Sequence, residues 1–172
     1  MKKRFRIIRS WLVVCICSLS LVSYAQDPTD SLPGDPGGIY VTTYQHLKFG
    51  AFTQGASGGT VVISNTGSRS VTGTVVGLNL GITYYQAIIN VEAPPGSLIS
   101  ITNGPDATLT GSNGGSITLH IGNSSPGSPF STSIPPPGVT PVNIGGTLTV
   151  GNSTAAPPGA YSGTFYITFN QE

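Results

Sequence analysis

The chain has 172 residues, enough for one domain, and charged side chains make up only 8% of it, far below the ~25% usual in globular proteins. Seven Lys and Arg stand against six Asp and Glu, and five of those basic residues fall within the first nine positions, which excludes a nucleic-acid binder needing many cations to displace counterions from phosphate. Both cysteines, Cys15 and Cys17, also lie in this early part, so no disulfide framework is available and hydrophobic burial has to carry stability.

Residues 1–25 read as an export signal. Lys2, Lys3, Arg4, Arg6 and Arg9 form a cationic n-region, Trp11 to Val22 supplies the apolar stretch, and Ser23-Tyr24-Ala25 places small residues at −3 and −1, so cleavage is expected before Gln26. The apolar run is shorter than the ~20 residues that span a bilayer. A retained anchor is therefore the weaker alternative, and no transmembrane helix is expected after signal removal. Val14 and Ile16 precede the cysteines where a bacterial lipoprotein signal wants a small residue, which argues against lipid anchoring. Cleavage leaves Lys48 and Arg69 against all six acids, a mature charge of about −4.

Residues 26–38 form a leader of Asp, Pro and Gly with a single apolar residue, Leu32. It has too little surface to bury against its ordering entropy, so a mobile tail is expected. From 39 to 172 a single domain is expected. Segments rich in Val, Ile, Thr and Tyr alternate there with Gly, Asn, Ser and Pro clusters, predicting strands over 39–49, 59–64, 70–76, 86–92, 98–102, 108–111, 115–121, 145–150 and 161–170. In the last of these Tyr161, Phe165, Ile167 and Phe169 share one face and Ser162, Thr164, Thr168 and Asn170 the other, as a half-buried strand requires. Turn signals such as Asn65-Thr-Gly-Ser68, Pro94-Pro-Gly96 and Ser112-Asn-Gly-Gly115 separate the strands. No helical periodicity is found outside the signal. Eight or nine short strands at this spacing predict an all-β sandwich or barrel. Residues 123–141 carry six prolines, and since proline cannot donate to a ladder a long loop outside the sheets is expected. It reads as a flexible crossover, with a polyproline-like partner segment at Pro135-Pro-Pro137 as the alternative.

No residue is assigned a catalytic, cofactor-binding or metal-binding role. Gly55-Ala-Ser57-Gly-Gly59 has the G-x-S-x-G spacing of a nucleophile elbow, but that motif works where a strand turns into a helix, and Thr60-Val-Val-Ile63 reads as a strand. His46 and His120, the two histidines, each fall out of step with their apolar neighbours and read as surface residues; a zinc site needs three or four converging ligands. Asp27, Asp30 and Asp35 read as solvated charge in the leader rather than a cation site. Asn123-Ser-Ser125 and Asn152-Ser-Thr154 match the glycosylation sequon, which matters only in a eukaryotic cell.

Four blocks resemble a secreted bacterial family, domain of unknown function 4402, related to spore coat protein U and to pilin-like domains. They are Leu47-Lys-Phe-Gly50 with Gly59-Thr-Val-Val-Ile-Ser64, then Gln86-Ala-Ile-Ile-Asn-Val-Glu-Ala-Pro-Pro-Gly96, then Ile144-Gly-Gly-Thr-Leu-Thr-Val-Gly151, and last Pro158-Gly-Ala-Tyr-Ser-Gly-Thr-Phe-Tyr-Ile-Thr-Phe-Asn170. The last two are the specific ones. The chain departs from the family at its end, where Asn170-Gln-Glu172 follows Phe169 in place of a terminal tyrosine-bearing strand. The resemblance implies an immunoglobulin-like or pilin-like β-sandwich with a structural role and brings no catalytic residues with it.

The resulting expectation is a secreted, non-catalytic structural or adhesion-type protein of the bacterial periplasm, cell surface or exterior, related to fibre or pilus subunits. The sequence does not identify its partners; other envelope or surface proteins and self-association are the candidates. The alternatives are a small outer-membrane β-barrel, a carbohydrate-binding module using Tyr40, Tyr44, Tyr84, Tyr85 and Tyr166, and a hydrolase built on Ser57. In donor-strand assembly each subunit lends an alternating apolar arm to the next. The leader lacks that alternation, so a self-complete domain is expected rather than an assembly-competent pilin.

Overall fold

The computed structural model describes residues 37–172, and no helix occurs among them. The expected signal and all but the last two residues of the leader lie outside the described residues. Fifteen strands follow one another: β1 (Tyr40–Gln45), β2 (Lys48–Phe49), β3 (Phe52–Thr53), β4 (Gly59–Ile63), β5 (Arg69–Val71), β6 (Val76–Gly77), β7 (Tyr84–Tyr85), β8 (Ala87–Glu92), β9 (Leu98–Asn103), β10 (Ala107–Gly111), β11 (Ser116–Ser125), β12 (Phe130–Ser131), β13 (Thr140–Val150), β14 (Tyr161–Ser162) and β15 (Ile167–Gln171). The protein is all-β, as expected, but its strands are more numerous and several are shorter than the sequence pattern predicts.

β13 is the organising element. One of its edges pairs with β8 through its first half and with β4 through its second, while the other edge pairs with β11. β8 extends to β1, β4 to β5, and β11 through β10 to β14, giving an eight-stranded sheet. A smaller sheet runs β12-β9-β15, and two short ladders, β2-β7 and β3-β6, stand apart from both. Val142, Ile144, Leu148 and Val150 on one face of β13 are buried. Ile63 and Ile117 from the large sheet join them in one hydrophobic cluster with Ile99 and Phe130 of the smaller sheet, and Ile167 and Phe169 pack against it half-buried. The opposite face of the large sheet carries hydroxyls. Thr108 faces Thr118, Thr118 faces Thr149, and Thr149 faces Thr60, whose hydroxyl lies 2.7 Å from that of Thr72. Five threonines thus line up across neighbouring strands, each β-branched and suited to the pleat. They wet the outer face without charge.

Three departures from the predicted strands have physical causes. The single strand expected over 39–49 carries a bulge between Thr43 and Gln45 and stops at Gln45, with pairing resuming at Lys48. An extra residue at the bulge reverses which side chains face inward. Ahead of it Tyr40 and Thr42 are half-buried and Val41 is 37% exposed, whereas beyond it Leu47 and Phe49 turn inward. The strand expected over 161–170 switches sheets: Tyr161 and Ser162 pair with β10, and from Ile167 onward the chain pairs with β9. Gly163 lies at the crossing, where a Cβ would sit 2.7 Å from the Thr108 carbonyl oxygen, a contact that only glycine avoids.

The loop expected over 123–141 is the third correction. β11 continues to Ser125, Phe130 and Ser131 pair with β9, and β13 begins at Thr140. Pro141 lies inside β13, opposite Asn90 of β8. β11 ends opposite Asn143, so on that side Pro141 has a vacant ladder position, where a missing N–H costs nothing. The Gly138 N–H donates to the Pro135 carbonyl, closing Pro135-Pro-Pro137 into a turn in place of a polyproline helix.

Candidate functional site

The large sheet presents its apolar face to a groove of about 690 Å³. Leu109 of β10, Ile117 and Leu119 of β11, and Leu148 of β13 form the floor. All four are buried and follow the period-two pattern that turns alternate residues to the core. One wall is the stretch 47–54, with Phe49 and Phe52 aimed inward, together with Leu78, Leu80 and Ile82 from the connection before β7. The other wall is the stretch 156–163 and Phe165, which includes Tyr161 and the Pro157-Pro158-Gly159 turn. The Gln54 side-chain amide donates to the Ala156 carbonyl, tying the two walls together at one end. The Tyr161 hydroxyl donates to the Pro157 carbonyl at 2.6 Å, which holds that ring along its wall.

Leu80 and Ile82 on the rim are 67% and 60% exposed, and Phe165 is half-buried on the opposite side. Lys48 is the sole charged side chain lining the groove; its ammonium lies 5.8 Å from the Tyr85 ring centroid. The remaining polar lining is neutral, from Thr53, Gln54, Thr83 and Ser162. Such a surface is suited to taking up apolar matter. Well-packed interiors leave few voids larger than a water molecule, and the groove lies within the size range of binding sites, roughly 300–1,000 Å³.

The residues weighed from sequence lie elsewhere or serve the fold. Ser57 is exposed on the turn leading into β4, so strand rather than helix follows it. His46 is exposed just after β1. His120 is exposed on β11, with Nδ1 2.7 Å from Asp106 Oδ1. Among the described residues no three His, Cys, Asp or Glu side chains gather closely enough to hold a metal ion. Asp27, Asp30 and Asp35 fall outside the described residues. The five tyrosines are spread over β1, β7 and the connection before β15. Tyr84 is covered by Arg69, whose Cζ lies 4.4 Å from the ring centroid. Asn123 is exposed near the end of β11, and Asn152 Oδ1 accepts from the Thr154 and Ala155 N–H groups, so its side chain shapes a turn.

The groove itself escaped the sequence reading. Its one local signal is Leu78, Leu80, Ile82 and Tyr84, which alternate through a stretch otherwise read as a connection. No helix among the described residues is long and apolar enough to cross a membrane.

A family model described as Domain of unknown function (DUF4402) matches residues 39–170. The chain belongs to that family. No curated protein and no solved structure matches it.

Proposed function

We propose that this member of the family is an exported, non-catalytic structural or adhesion-type subunit of the bacterial envelope or surface, a pilin-like β-sandwich whose groove is filled by an extended apolar segment of another subunit. The observation that carries this reading is the groove. Its floor is core surface, its rim exposes Leu80 and Ile82, and no segment of the described chain fills it. Strand edges are available beside it. β14 pairs with β10 alone, β15 with β9 alone, and β2 and β3 each with one partner, so backbone donors and acceptors stand ready for an added strand. An occupied groove explains its apolar lining better than the self-complete domain expected from the leader. The membrane-barrel alternative is less well supported, because the large sheet ends in three strands, β1, β5 and β14, none of which pairs with another, and its outer face carries threonine hydroxyls.

The test is the association state of the mature chain, by light scattering after size exclusion and by negative-stain microscopy of native secreted material. Concentration-dependent assembly, weakened in Leu80→Asp and Ile82→Asp with dichroism unchanged, is expected. A wild-type chain that stays monomeric, with no affinity for envelope, matrix or other subunits, rules the reading out.

A further inference from the structure

One wall of the groove belongs to neither the large nor the smaller sheet. β2 and β3 pair only with β7 and β6, and a two-stranded ladder has little stability alone. Buried Phe49 and Val75 hold this wall from within. Its backbone is held by one side chain. From β5, Arg69 Nη1 donates to the Phe49 carbonyl at 3.2 Å and to the Ala51 carbonyl at 3.0 Å, and Nη2 reaches the Leu78 carbonyl at 3.5 Å. The guanidinium plane also rests on Tyr84. Both stretches approach it through glycine: a Cβ on Gly50 would come within 2.8 Å of Nη1, and one on Gly77 within 2.7 Å of Nη2.

Among the described residues no carboxylate pairs with Arg69, so its guanidinium donates to carbonyls instead. A planar fork of five donors can bridge strands this way and still stack on an aromatic ring, whereas a lysine ammonium can do only part of it. Charge-assisted hydrogen bonds are also the stronger kind.

We infer that Arg69 is the positioning residue of this groove wall, pinning the stretches 47–54 and 76–85 together as one unit. The inference takes its functional meaning from the groove reading above, but its test needs no partner. Hydrogen exchange followed by mass spectrometry on the mature chain compares wild type with Arg69→Met and Arg69→Lys. In Arg69→Met, exchange in 47–54 and 76–85 is expected to quicken roughly tenfold or more, with β11 and β13 protected as in wild type. Binding of the fluorescent apolar probe bis-ANS should rise in step, and Arg69→Lys should fall between the two.

Should Arg69→Met fail to fold, the same comparison on Arg69→Lys decides. Protection lost equally from β11 and β13, or left unchanged in both wall stretches, overturns the inference. Selective loosening in a chain that never associates would instead sink the assembly reading and leave this one standing.

Discussion

Two truncations on one strand test whether the groove is open. Ile144 and Leu148 share the core face of β13, at 0% and 2% exposure, and each carries three carbons beyond Cβ. Removing three buried carbons forfeits about 2.4 kcal/mol of transfer free energy at either site. The cavity contribution separates them. Ile144 does not line the groove, so Ile144→Ala opens a new enclosed void, and about 24 cal/mol for each Å³ left empty brings its total near ~4 kcal/mol. Leu148 borders the groove, so part of the space vacated by Leu148→Ala joins the groove instead of remaining an enclosed void, and the cost should be only about 2.5–3 kcal/mol. Urea unfolding of the mature chain measures both, provided the m-values agree. A domain of this size has about 5–15 kcal/mol in hand, so both variants should fold. A loss at Leu148 equal to or greater than that at Ile144 would show that its far side is packed and that the groove is closed.

Leu119→Phe points extra volume into the same space and should be neutral or stabilising, where overpacking a filled core costs about 1–3 kcal/mol; thermal melts distinguish the two. Gly58→Ala should lower stability by about 2 kcal/mol or more, because φ there is +70° and the added Cβ would meet the Val150 carbonyl oxygen and lie 2.8 Å from the Gly151 carbonyl carbon; urea midpoints give the loss. Asp106→Asn removes the carboxylate beside His120, but both side chains are more than half exposed, so the change should stay within about 0.5 kcal/mol in the same assay.

How much could be read from the sequence depended on how local the signal was. Residues 87–92, 98–103 and 107–111 form strands close to their predicted limits, since there the period of two, the turn residues and the burial agree. Tyr161, Phe165, Ile167 and Phe169 do share an inward side. Their even spacing carried no sign that the chain changes sheets at Gly163, because that depends on a contact with Thr108 more than fifty positions earlier. The bulge at Thr43 to Gln45 was hidden in the same way: a smooth alternation was counted through a point where one residue is skipped. Prolines misled in the opposite direction. Pro141 reads from sequence as a breaker, yet it lies in the longest described strand, because a vacant position beside it removes the penalty. The groove was least legible of all. Its floor comes from β10, β11 and β13, and its walls from stretches around 50, 80 and 160, so no window of sequence contains it.

An open groove in a chain without disulfides between its described residues raises the question of what keeps the rest folded. β13 answers much of it. Eleven residues long, it is flanked along its two edges by β8, β4 and β11, and its buried side chains anchor the cluster that joins both sheets. Stability is therefore concentrated in the large sheet beneath the groove. The groove walls consist of two-residue strands and a proline-glycine turn, with Arg69 pinning one of them from behind, and such elements come from the low end of the local stability range. On the assembly reading proposed above, a groove that admits another segment has to adjust without loosening the core, and this division allows it: the floor belongs to the large sheet, and the walls are built from the less stable elements. The same division explains why Arg69, one of two cations outside the expected signal, lies behind a wall rather than on the floor. A charge on the floor would be buried by any apolar occupant at heavy desolvation cost, whereas behind the wall it remains hydrogen-bonded to carbonyls whether the groove is filled or empty.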